Sequence, residues 1–76
     1  MVRVIEAIPV ENYKLKITLD NRKTGYFSVK PFLDKGIFQE LKDENYFRLV
    51  AVRGRSIFWP NQQDFCADTI EELLGL

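Results

Sequence analysis

The sequence predicts an α+β fold in one domain spanning residues 1–76: a small antiparallel sheet of about five strands with two short helices, in the order β-β-β-α-β-β-α. Three observations carry this prediction. From Tyr13 to Asp20 apolar and polar residues alternate strictly, the period of a strand with one buried and one wet face. Turn-forming residues separate that run from apolar runs on either side. The tail places Ile70, Leu73 and Leu74 at i, i+3 and i+4, the stripe of a helix.

The first run is Val2 to Ile8, stopped by Pro9. Val2, Val4 and Ile8 share one face, interrupted by Glu6, while Ile5 and Ala7 lie on the other. The second run carries Tyr13, Leu15, Ile17 and Leu19 on its buried face and Lys14, Lys16 and Thr18 on its wet face. Asp20 to Lys23 is a turn, because Asp and Asn bond their own backbone and tolerate left-handed angles. Residues 24–29 return as a third strand, Phe27 and Val29 inward and Tyr26 outward. These three runs form an antiparallel meander.

A short interrupted helix follows over "KPFLDKGIFQELKDENYF". Pro31 suits a first helical turn, where its missing N–H costs nothing. Gly36 breaks the segment as a left-handed cap, and Lys42 with "KDEN" closes it. Residues 47–60 read as a hairpin: Leu49 to Val52 as a central strand apolar on both faces, Gly54 in a tight turn, and "SIFW" returning. Pro60 ends that strand because it has no N–H for the ladder. The segment from Asn61 to Ala67 reads as a connection. Asp68 is the expected N-cap of the last helix, with Glu71 in the capping-box position.

Seventy-six residues make a thin core, burying about 60% of the surface that the unfolded chain exposes. One Cys excludes an internal disulfide framework. Eleven basic residues balance eleven acidic ones, so nothing in the net charge pulls the chain toward nucleic acid or anionic lipid, and nothing repels two copies. Arg3 and Glu6 interrupt any secretory core, and no stretch reaches the roughly 18 apolar residues of a membrane helix. A free Cys without an export signal predicts the cytoplasm.

Catalytic chemistry has little to work with. There is no His, the commonest general base and metal ligand. One Cys cannot build a structural zinc site, and the four scattered Gly residues form no phosphate loop. Cys66 precedes a helix start, but Asp64 and Asp68 flank it and favour the neutral thiol; it reads as a packed or incidental residue. Asp64, Asp68, Glu71 and Glu72 match no calcium loop, and acids in a first helical turn are explained by the helix dipole. The expectation is no enzyme, no cofactor, no metal and no catalytic residue.

Three binding readings remain, of which the last in order is a small-molecule or metal binder around Trp59, Asp64 and Asp68. Lys14, Lys16, Arg22, Lys23, Arg53 and Arg55, with Tyr26 or Phe58 for stacking, are a candidate nucleic-acid surface. Lys on a wet strand also serves to discourage edge pairing, and the zero net charge opposes this reading. The favoured reading is protein interaction. Tyr26, Tyr46, Phe58, Ile5, Ala7, Val50 and Val52 exceed what two short helices cover, and an uncovered apolar patch marks an interface. Tyr26 and Phe58 are the expected anchors, with Arg53 and Arg55 at the rim.

A late stretch, "FWPNQQDFCADTIEEL", is the most distinctive in the chain. Trp59, Pro60, Asn61, Asp64, Phe65, Asp68 and Ile70 match a family signature there. Val4, Pro9, Tyr13, Leu15, Ile17, Gly25 and Val29 match an N-terminal pattern. Pro31, Gly36, Phe38 and Leu41 match a middle segment. On these residues the chain resembles the bacterial domain-of-unknown-function family 2442 over nearly its whole length. It departs from the pattern at Gln62, where the family tends to have Gly, and at Cys66-Ala67, where the pattern is nearer Ser-Pro. The turn at 61–63 is therefore expected to be built differently. The resemblance implies a small antiparallel sheet with flanking helices. It also implies an interaction partner, antitoxin-like, in a bacterial cytoplasm.

The combined expectation is a non-enzymatic regulatory module that binds another protein and itself as a homodimer, away from membranes, with nucleic acid as the alternative. Trp59, Pro60, Asn61, Asp64 and Asp68 are expected to be mainly structural. Asp64 alone has no capping position in this scheme. Buried, it would accept hydrogen bonds from backbone or the Trp59 indole; exposed beside a cleft, it would favour a binding site.

Overall fold

The computed structural model describes residues 2–75. It is α+β, but its strands form two three-stranded antiparallel sheets instead of one sheet of five. The first contains β1 (Val4–Val10), β2 (Lys14–Leu19) and β3 (Thr24–Ser28), in that order. The second contains β4 (Ala51–Arg53), β5 (Ser56–Phe58) and β6 (Asp64–Cys66), also in order. Two 3-10 segments, Lys30–Phe32 and Gly36–Lys42, and the single-turn helix α1 (Glu44–Phe47) lie between the sheets in sequence. Helix α2 (Ala67–Leu74) closes the chain.

The first meander follows its alternation. Leu15, Ile17, Leu19, Phe27 and Val29 are buried and Lys14, Lys16 and Tyr26 are exposed. β1 departs from the expected faces at a bulge. Val4 pairs with Leu19 and Glu6 with Thr18, so Ile5 is the extra residue. Unbroken alternation from the buried Val4 would turn the Glu6 carboxylate into the core, at a cost of several kcal/mol per ion (~). The bulge instead turns Ala7 and Pro9 inward and leaves Glu6, Ile8 and Val10 exposed. Tyr13 precedes β2 instead of starting it. It and Asn12 hold φ of 57° and 61° in the β1–β2 turn.

The expected interrupted helix is three separate pieces. Pro31 does stand in the first turn of its segment, and Gly36 is left-handed at φ 47°. Phe38 and Leu41 are three residues apart, so they share a side of a helix with three residues per turn. Lys42 is the last residue of this segment and Asp43 closes it, its N–H on the Glu40 carbonyl; the Asp43 carboxylate also accepts the Asn45 N–H at 2.9 Å and starts α1.

The second sheet was only half anticipated. Leu49 turns with the end of α1, its N–H on the Tyr46 carbonyl, and is 54% exposed. β4 is therefore three residues long and exposed throughout, an edge strand instead of a central one. Gly54, at φ 57°, makes the tight turn into β5 as expected. The supposed connection after Trp59 is a second hairpin. Gln62 N–H bonds the Trp59 carbonyl at 3.1 Å, and Trp59 N–H bonds the Gln63 carbonyl at 2.9 Å. Gln62 itself takes φ 79°, the left-handed region that a Gly adopts at no cost.

α2 begins two residues earlier than an Asp68 cap would place it, at Ala67. Cys66 occupies the N-cap position, so Asp68 lies inside the first turn and forms no capping box with Glu71. Ile70 is buried and Leu74 half-buried, but Leu73 is exposed. Leu74 packs over Gly25, where an added Cβ would lie 3.2 Å from Leu74 Cδ1. The two sheets share an aromatic core centred on Phe65, whose ring centroid lies 5.0 Å from Phe27, 5.0 Å from Phe32 and 5.1 Å from Phe38.

Candidate interaction surface

The outer face of the first sheet is assembled by strand register. Ile8, Lys16 and Tyr26 lie opposite one another across β1, β2 and β3. Val10, Lys14 and Ser28 form the adjacent row. Directly opposed residues share a face, with Cβ atoms about 5 Å apart. Ile8, Val10 and Tyr26 are all exposed, Tyr26 at 59%. The two ammonium groups of Lys14 and Lys16 stand between them. A shallow concavity of ≈ 440 Å³ opens here, lined by Val10, Glu11, Asn12, Lys14 and Tyr26. Its rim includes the left-handed Asn12, beside the left-handed Tyr13. Tyr13 is held by its hydroxyl on the Lys42 carbonyl and by edge-on packing against Phe47 at 5.5 Å.

The expected anchor and rim residues divide between the sheets. Tyr26 belongs to the first. Arg53 and Phe58 share the outer face of the second, the guanidinium carbon 5.1 Å from the ring centroid. Phe58 is half-buried. Arg55 lies in the β4–β5 turn, 3.6 Å from the Asp68 carboxylate. Tyr46, one of the apolar residues expected at the surface, is half-buried and serves the interior. Ile8 and Val10 were missed as surface residues. The signal available was Glu6, whose charge forces the bulge that exposes them.

The signature residues have internal work. Trp59 is buried, and its indole N–H donates to the Phe47 carbonyl at 2.8 Å. Asn61 donates its amide to both Glu40 carboxylate oxygens, at 2.8 and 2.7 Å. Gln63, fully buried, donates to the Ile37 carbonyl and to Glu40, and accepts from the Tyr46 hydroxyl. These bonds clamp the second hairpin to the segment before α1, and among the described residues no buried side-chain polar atom lacks a partner. Asp64 is exposed on β6 opposite Phe58, and the Trp59 indole does not reach it.

Cys66 is exposed, not packed. Its Sγ lies 3.1 Å from Thr69 Oγ1. Hydrogen bonding to the Thr69 side chain, then to its backbone, holds the thiol below the ordinary range, against partial burial and, more weakly, the charge of Asp68. Among the described residues no group of three or more His, Cys, Asp or Glu side chains could hold a metal ion. No helix among them is long and apolar enough to cross a membrane.

The family model described as "Protein of unknown function (DUF2442)" matches residues 4–74, from the start of β1 to the end of α2. No curated protein matches the chain. No solved structure matches it.

Proposed function

This chain belongs to the DUF2442 family of unknown function, and we propose that it is a non-enzymatic module that binds another protein through the outer face of its first sheet and also binds itself. The observation that carries the reading is the run of exposed Ile8, Val10 and Tyr26 in adjacent registers, Val10 and Tyr26 lining one shallow concavity. The buried core lies on the opposite face of the sheet, with Leu15, Ile17 and Phe27, and does not include these side chains. Lys14 and Lys16 between the apolar side chains suit a partner that presents an apolar residue flanked by carboxylates. The resemblance noted in the sequence favours an antitoxin-like form of this role, in a bacterial cytoplasm.

Affinity capture from source cells tests the reading, with the intact chain and with its Ile8→Asp and Val10→Asp variants as bait. Partners retained by the unaltered chain should weaken by about tenfold or more in each variant, the size of one anchoring side chain. The same variants should keep the parent circular dichroism spectrum. A chain that binds neither a partner nor itself overturns the proposal.

One observation supports nucleic acid as the second reading: Lys14 and Lys16 adjoin an exposed Tyr26 on one sheet face. Binding to a fluorescent oligonucleotide that falls steeply with salt would favour it. Net charge zero weighs against it.

A further inference from the structure

The two outer strands of the first sheet differ in how they end it. β1 carries the Ile5 bulge, the charged Glu6 and Pro9, which has no N–H; each is a device that blocks strand pairing. It also lies beside β4. β3, Thr24-Gly25-Tyr26-Phe27-Ser28, has no bulge, charge or Pro, and its register with β2 is unbroken. Its neighbour is α2, whose Leu74 packs over Gly25.

The direction of its free groups follows from the ladder. The bonds Val29 N–H to Tyr13 carbonyl and Leu19 N–H to Lys23 carbonyl flank the β2–β3 pairing. Antiparallel alternation then turns Gly25 and Phe27 toward β2, and Thr24, Tyr26 and Ser28 outward. Among the described residues no turn, loop or side-chain hydrogen bond takes up those outward backbone groups. Beside them runs a groove of ≈ 300 Å³, walled by Pro31, Phe32, Leu73 and Leu74, and Leu73 is exposed although it belongs to the apolar stripe of α2.

We propose that β3 pairs antiparallel with β3 of a second copy about a two-fold axis at Tyr26, joining the two meanders into one six-stranded sheet. This inference rests on the reading of the chain as a self-associating module and supplies the mode. With the axis at Tyr26, Tyr26 faces its own counterpart and Thr24 faces Ser28 in both directions. All three outward residues of each strand are then paired, giving about six hydrogen bonds between chains. A two-fold axis at Gly25 or Phe27 leaves an outward residue unpaired. The charges permit the arrangement. The Lys16 residues of the two copies stand three strand spacings apart, about 14 Å, beyond the screening length. Lys14 lies in the row of Ser28, which meets Thr24 and then Thr18 of the second copy. A single pair of short strands makes a small interface, so the dimer is weak, of micromolar affinity or weaker (~).

Sedimentation equilibrium of the intact chain from about 10 μM to about 1 mM tests the proposal. The mass should rise from 8.9 kDa toward twice that value. The double variant Thr24→Lys/Ser28→Lys sets like charges opposite each other twice and should remain monomeric. Thr24→Lys/Ser28→Glu sets opposite charges there and should restore association. Amide exchange on the unaltered chain is independent of whether those variants fold: the N–H groups of Thr24, Tyr26 and Ser28 should gain protection with concentration. A constant 8.9 kDa, equal behaviour of the two double variants, or no protection at those amides overturns this pairing. If the chain is monomeric but still captures partners through Ile8 and Val10, the dimer fails alone and the binding function stands.

Discussion

The Tyr46 hydroxyl donates to Gln63 Oε1 at 2.7 Å while accepting the Asn61 backbone N–H at 2.8 Å. One phenol thus satisfies the amide oxygen of a fully buried Gln and a free N–H of the second hairpin turn. Its removal strands the buried Gln63 oxygen, while the exposed Asn61 N–H can turn to water. Tyr46→Phe should destabilise the domain by about 1–3 kcal/mol in urea unfolding, because an unpaired buried polar group keeps its desolvation cost. Adding Gln63→Leu should cost less than the sum of the two single changes, since it removes the orphaned amide. Full additivity would show that the hydroxyl does not support Gln63.

Gln62 holds a left-handed φ of 79° that its Cβ opposes. The opposition is worth about 1–2 kcal/mol, and Gly at this position returns about 0.5–1 kcal/mol of it as unfolded-chain entropy. Gln62→Gly should therefore stabilise by about 0.5–1 kcal/mol, a rise of several degrees in melting temperature for a domain this small. An unchanged or lower melting point would mean that Gln62 makes compensating contacts.

Asp43 caps a helix and Asp68 does not, although the sequence alone favours Asp68. Asp43→Ala should cost about 1 kcal/mol, the usual worth of an N-cap. Asp68→Ala should cost about half that. It loses a first-turn charge and an exposed ion pair with Arg55 that thermal melting will barely register. Equal losses in the two variants would refute this assignment.

Cys66 should react with iodoacetamide faster than an unstructured thiol near neutral pH. A lowered pKa gives a larger thiolate fraction, so the midpoint of its rate–pH profile should lie below that of a free thiol. Thr69→Val removes the first cause of the shift and should move the midpoint up. A profile indifferent to Thr69 would place the cause elsewhere.

Much of the fold was legible. The meander, its buried face and the tight turn at Gly54 all follow from alternation and turn chemistry. The second hairpin was not, because Pro60 reads as a strand end and β6 is only three residues long, too short to show a period. Of the candidate surface, Tyr26 was legible from its place in an alternating strand. Ile8 and Val10 were not, because a one-residue bulge upstream exchanged their face with that of Ala7 and Pro9.

By itself the sequence determined which residues of an unbroken strand face water. That choice is local: each side chain is either apolar or not, and successive residues alternate. Only the tertiary structure decided how many sheets form and where β1 bulges. Those outcomes depend on groups far apart in the chain. Glu6 must be kept from the core beneath β2, Trp59 must find the Phe47 carbonyl, and Gln63 must find Ile37, Glu40 and Tyr46 at once. A buried polar group is tolerated only where every partner is in place, and short-range pattern does not record which partners the packing will supply.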